Sequence, residues 1–184
     1  MKHISQLEHS ELVKINFFEL IKIRLPWILI GLGGALITSV IISRFELSLR
    51  ENVALAFFIP IIAYVSDEIG TQTETILIRA LANLKFNIAK YIFREFKIGV
   101  FMGIIFGILS MGFAFFLSNS LKVSLVVGLA LFISMSLATV IACITPLILK
   151  NMGKDPAVGS GPFTTALQDL VSLTIYFLVA IAIL

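Results

Sequence analysis

Asn52–Leu81 reads NVALAFFIPIIAYVSDEIGTQTETILIRAL, and the way this stretch divides decides how often the chain crosses a membrane. Its uninterrupted apolar part, Val53–Val65, has 13 residues. A hydrocarbon core about 30 Å thick needs about 20. SDEIGTQTET follows at Ser66–Thr75, and then ILIRAL, which is too short to be a span of its own. A surface loop turning at Gly70 is one reading. The other, adopted here, is one helix of about 30 residues with a polar middle. At a rise of 1.5 Å per residue it places Asp67 and Glu68 about 20 Å from its start, inside the bilayer. A carboxylate at that depth costs about 2.5–3.5 kcal/mol on insertion scales and by default marks a functional site.

The chain outward from this segment is equally apolar. Its 184 residues are 59% hydrophobic with a mean hydropathy of +1.05, more apolar surface than a soluble domain of this size can cover. Five spans account for it: Leu25–Ser43, the stretch from Asn52, Ile98–Leu117, Val123–Leu149, and a last one from near Phe163 to the end. The predicted fold is all-α, an integral membrane protein of five transmembrane helices preceded by an N-terminal amphipathic helix. Residues 1–24 form that interfacial segment and residues 25–184 the membrane domain. In the first, Val13, Phe17, Leu20, Ile21 and Arg24 share one helical face and Glu11, Lys14, Glu19 and Lys22 largely another, the pattern of a helix lying in the interface. A partner-docking helix is the alternative. Pro26 and Trp27 open the first span, proline in a first turn and tryptophan at headgroup level. Residues 44–52 and 83–97 are expected to be charged connections. Gly99, Gly103 and Gly107, four residues apart, make a close-packing face. The short turn Ser118–Lys122 makes the third and fourth spans antiparallel neighbours, and Pro146 is expected to kink the fourth.

The remaining composition narrows the class. A single cysteine, Cys143, excludes a disulfide framework and a cysteine-rich metal site. His3 and His9 read as surface groups. No cleavable signal peptide is expected, because the first apolar run follows a charged segment and is too long for an h-region. The net charge of +3 reads as topology, not as nucleic-acid binding. With the N-terminus in the cytoplasm, 11 of the 14 lysines and arginines fall on the inner side, a strong positive-inside pattern. That predicts a multi-pass cell-membrane protein with its C-terminus outside.

The chemistry concentrates in two segments. The last span opens at Lys154–Asp169, KDPAVGSGPFTTALQD, and Thr165, Asp169, Ser172 and Tyr176 follow i, i+4, i+7, i+11 along one face. The second span carries Asp67, Glu68 and Glu74. The two helices run in opposite directions, so their polar parts can meet near mid-membrane. Carboxylates and hydroxyls suit hard divalent cations, and the near absence of sulfur and imidazole disfavours zinc- and copper-type sites. Magnesium would keep part of its water. The alternative is that the acids pair with Arg79 or with backbone donors and only fix packing. Four acids against one nearby arginine leave excess negative charge, which favours a cation path. No nucleophile–base set or catalytic metal cluster stands out, so an enzyme is not expected.

Met152–Phe177, MGKDPAVGSGPFTTALQDLVSLTIYF, resembles the signature of the MgtE family of magnesium transporters and their eukaryotic solute-carrier relatives. Pro60–Leu81 resembles that family's second-span pattern in part. The resemblance implies a homodimer of five-helix subunits, with magnesium or another divalent cation as the transported ion on a path at the dimer interface, lined by the second and fifth spans. The family's selectivity aspartate falls on Asp169 and its loop aspartate on Asp155, with Thr165 one turn before Asp169. The metal-binding set is then Asp169, Thr165, Asp67, Glu68, Asp155, Gln72 and Glu74, and no organic cofactor is implied. The family's glycine–glycine–asparagine is replaced by Ser66, Asp67 and Glu68, and its asparagine at the start of the last span by Gly161. Only residues 1–24 stand before the first span, so regulation by cytosolic magnesium is expected to need a separate cytosolic subunit. Besides the ion, the lipid bilayer and a second copy are the expected partners, and nucleic acid is not. Two competing functions remain at this stage: a sodium- or proton-coupled carrier exporting the cation, and a non-transporting membrane anchor subunit.

Overall fold

The structure, a computed structural model, describes residues 16–83 and 87–184. Most of the 1–24 segment, including His3 and His9, lies outside the described residues. Six helices follow one another: α1 (Phe17–Arg44), α2 (Glu46–Glu51), α3 (Ala54–Asn83), α4 (Ile88–Ser118), α5 (Leu121–Asn151) and α6 (Pro156–Ile183). All but α2 are long and apolar enough to cross a membrane. The polar middle of the second span is therefore helix and not a surface loop, and the described residues hold the five expected spans.

Local chemistry sets the helix ends. Asn16, Asn87, Ser120 and Asp155 each lie just before a long helix and accept a hydrogen bond from a first-turn backbone N–H through their side chains, which satisfies donors that have no intrahelical partner. Asn119 ends α4 in the left-handed region at φ 50°, a conformation asparagine tolerates. The next residue already caps α5, so the turn between these two spans is as tight as the sequence implies.

Four boundaries differ from the sequence reading. The first span begins at Phe17, not Leu25, and Pro26 stands inside the helix, so residues 17–24 continue straight into the membrane helix. Residues 46–51 form α2 and not a loop. The third span begins at Ile88, ten residues before the expected start, because the basic residues of 88–97 are good helix formers whatever their polarity. The fifth begins at Pro156, with Asp155 as its cap. A capping aspartate followed by proline in the first turn is a helix start, and it prevails over Gly159, Gly161 and Pro162.

The fourth span, α5, runs through the middle of the bundle and is its most buried helix. Against α4 the glycines at 103 and 107 do what their spacing implies: a Cβ at either would stand 2.8 Å from a carbonyl oxygen of α5, Phe132 or Gly128 respectively. On its other sides α5 meets α3 and α6. There Leu55, Phe58 and Ile62 of α3, Val126, Val127, Ala130 and Leu131 of α5, and Tyr176 and Phe177 of α6 make one core. The buried Tyr176 hydroxyl donates to the Leu55 carbonyl at 2.9 Å, pinning the far end of α6 to the start of α3. The first span, α1, packs mainly on α6, with Gly34 against Ala166 and the Trp27 ring over Gly159.

Candidate functional site

Asp67 and Asp169 each lie thirteen residues beyond the first residue of their helix, α3 and α6. At 1.5 Å per residue that is about 20 Å, near the middle of both helices. For Asp169 this is twice the depth that a start at Phe163 implies. The two helices pack directly on each other, and the two carboxylates are near enough for their charges to interact. Thr165, one turn before Asp169, places its hydroxyl beside the Asp67 carboxylate. Asp169 and Thr165, with Pro162 and Ala166, also line a cavity of about 550 Å³ whose far wall is Ile28, Gly31, Leu32 and Ala35 of α1. The site therefore has a wall on three of the five spans.

What brings α3 this close to α6 is Gly70. A Cβ there would stand 2.6 Å from the Cδ and Oε1 atoms of Gln168 and nearer still to its Nε2. Gln168 is 1% exposed, and its amide donates to the Ala138 carbonyl of α5 at 3.1 Å. One glutamine thus crosses the joint between α3 and α6 and anchors it to α5. Its Oε1, like Asp67 Oδ1 and the Ser66 hydroxyl, is buried without a hydrogen-bond partner among the described residues. Unpaired oxygens in a low-dielectric interior are costly, and a group of acceptor oxygens suits a hydrated hard cation.

The other expected site residues separate. Glu74 is buried two turns toward the C-terminus of α3, where it accepts from the Ser160 hydroxyl of α6 at 2.5 Å, with Thr164 beside it. Glu68 and Gln72 point away from α6: both are exposed on the single chain, and the Gln72 amide donates to Glu68 at 3.4 Å. Asp155 is the cap of α6, accepting from Ala157 N at 3.0 Å, more than 20 Å from Asp169 along the helix. Arg79 is exposed and forms no ion pair among the described residues. The face shared by Thr165, Asp169, Ser172 and Tyr176 divides too, since Tyr176 is turned into the core. No group of three acid, histidine or cysteine side chains able to hold a metal occurs among the described residues.

Glu95 was missed by the sequence reading, which assigned it to a basic connection. It is 5% exposed on α4, accepts from the Thr73 hydroxyl of α3 at 3.3 Å and pairs with Arg94 at 3.0 Å. Neighbouring residues 73 and 74 thus tie α3 to α4 through Glu95 and to α6 through Ser160. The signal that could have found Glu95 is its place one turn before Gly99, on the glycine face.

Five helices long and apolar enough to cross a membrane, with carboxylates and hydroxyls between α3, α4 and α6, define a multi-pass membrane protein. Comparison with known proteins agrees. The MgtE family model, described as a divalent cation transporter, matches residues 59–179. The chain is 38% identical over 162 residues to "Magnesium transporter MgtE" of Bacillus subtilis, covering 86% of this chain and 36% of that protein. It is 32% identical over 160 residues to the protein of the same name from Enterococcus faecalis, covering 85% and 35%. A third, from Thermus thermophilus, is 30% identical with the same coverage. The chain belongs to the MgtE family, and it spans about a third of the length of these curated relatives.

Proposed function

We propose that this chain conducts a divalent cation, magnesium first, through a path that Asp169, Asp67 and Thr165 line at mid-membrane. The meeting of two carboxylates with unpaired oxygens at that depth, inside the family-matched segment, carries this reading. Like charges in a water-poor site repel, and a divalent cation offsets that repulsion without a full protein cage, because magnesium retains several waters. The path runs at the interface of two copies. Glu68, Thr71, Gln72, Thr75 and Arg79 are exposed along one side of a helix that crosses the bilayer, and lipid does not accommodate such a stripe. A second copy related by a twofold axis would cover the stripe with itself and complete the ligand set. The N-terminus faces the cytoplasm, from the lysine and arginine distribution.

The test is flux of magnesium, manganese, cobalt, nickel and calcium into liposomes carrying the purified chain, with and without sodium or pH gradients. Asp169→Asn preserves shape and removes the charge, and is expected to lose most divalent flux while melting like the parent. Asp169→Glu is expected to bind and discriminate poorly. If Asp169→Asn transports like the parent, the central site lies elsewhere. Flux that requires a sodium or proton gradient would favour the coupled carrier over the channel.

A further inference from the structure

A second cavity lies away from the acid site, at the basic end of the bundle. Its volume is about 640 Å³, and it opens between the last turns of α3 and the first turns of α4. These two helices pack lightly on each other. The Thr73–Glu95 bond joins them beside the cleft. Ile76 and Ala80 form one wall. The other is α4, with Phe93 as its apolar part and Lys90, Arg94 and Lys97 along its rim. The three cations follow i, i+4, i+7, one face of the helix, and no acid among the described residues lines the cleft. Arg94 pairs with Glu95 behind it, whereas Lys90 and Lys97 form no ion pair among the described residues. Lys97 lies over the Phe93 ring at 4.5 Å.

The depth of these groups follows from the sequence of α4. From Ile98 to Leu117 the helix carries no charged residue, and twenty residues at 1.5 Å each make the 30 Å of a hydrocarbon core. The residues before Ile98 therefore stand in the headgroup layer, with Lys90 about 10 Å further out than Lys97. The cleft sets three cations and an apolar wall side by side at the level of the headgroups. Free phosphate would match the rim and leave the apolar wall in water. A phospholipid of net negative charge matches both, and basic pockets between membrane helices bind such headgroups.

We infer that the cleft between α3 and α4 is a binding site for an anionic phospholipid, its phosphate held by Lys90, Arg94 and Lys97 and the glycerol-ester ends of its chains against Ile76, Ala80 and Phe93. The site is separate from the ion path, and its occupancy does not depend on what the protein transports. A lipid seated there touches both helices that the Thr73–Glu95 bond joins.

The test uses the full chain in vesicles of equal phosphatidylglycerol and phosphatidylcholine, with retained lipid measured by native mass spectrometry after gentle extraction. Lys90→Gln with Lys97→Gln removes two charges and leaves the Arg94–Glu95 pair intact. Each basic group near the surface contributes roughly fivefold to binding of anionic lipid, so the double variant is expected to hold phosphatidylglycerol about 25-fold less tightly. Its melting temperature in phosphatidylcholine alone is expected to equal the parent's. Lys122→Gln, at the opposite end, is expected to retain phosphatidylglycerol like the parent. Equal retention of the two lipids by the parent, or unchanged phosphatidylglycerol retention by the double variant, overturns the inference. So does inorganic phosphate raising the melting temperature as much as the lipid, which would make the rim a simple anion site.

Discussion

Gly70→Ala tests the joint that positions the site. The added methyl would enter the space of the Gln168 amide, 2.6 Å from Cδ. Gln168 is 1% exposed, so its amide has no open space to move into. Overpacking of this kind costs about 1–3 kcal/mol. Displacing the amide also breaks its bond to the Ala138 carbonyl, a loss of about 0.6 and at most about 1.7 kcal/mol within a membrane. Alanine returns about 1 kcal/mol of helix propensity over glycine. The expected net loss is therefore about 1–3 kcal/mol, with α3 pushed off α6 and Asp67 moved from Asp169. The assay is unfolding of the reconstituted chain by titrated denaturing detergent, alongside liposome flux. Gln168→Ala vacates the space the new methyl needs, so the double variant should be more stable than the two losses summed, by at least about 1 kcal/mol of coupling. If the two substitutions add, or Gly70→Ala matches the parent, Gln168 does not set the α3–α6 distance.

Three further outcomes are expected. Tyr176→Phe removes one bond to the Leu55 carbonyl and should lower stability by about 0.6–1.7 kcal/mol with flux unchanged, since the ring lies in the core and away from the path; a large flux loss at normal stability would give Tyr176 a direct role. Ser160→Ala leaves the buried Glu74 carboxylate short of a donor and should destabilise by about 1–3 kcal/mol, read in the same unfolding titration, whereas Ser160→Thr should restore most of it. Asp67→Gly with Glu68→Asn, restoring the uncharged pattern that the family resemblance implies, should change the ranking of transported ions in the flux assay and leave some transport; an unchanged ranking would make both acids structural.

The sequence carried the span count because apolar length is additive along a chain: the 13 residues before Ser66 and the six of ILIRAL make a span only when joined through the polar middle. The glycine face of α4 was legible for a similar reason, since contact at positions 99, 103 and 107 repeats with the helix period. Gln168 over Gly70 was not legible, because it joins residues nearly a hundred positions apart and neither alone departs from its surroundings. Glu95 was hidden by its neighbours. Lys90, Arg94 and Lys97 gave its segment the look of an interfacial connection, and one buried side chain among exposed ones does not alter a local average. Asp155, expected at the ion, is the cap of α6 through its bond to Ala157, a local role that its place before Pro156 already made legible.

The pairing of α1 with α6 has a consequence for how the protein is made. Spans emerge from the ribosome in order, and the first packs chiefly on the last. While α3, α4 and α5 assemble, α1 has no strong protein neighbour and is solvated by lipid. Its exposed residues Leu29, Leu36, Ile37 and Val40 suit that state. Synthesis of α6 supplies at one moment the helix that α1 packs on, the Tyr176 tie to α3 and the second acid of the site. Packing of α1 and completion of the candidate ion path thus wait on the same helix.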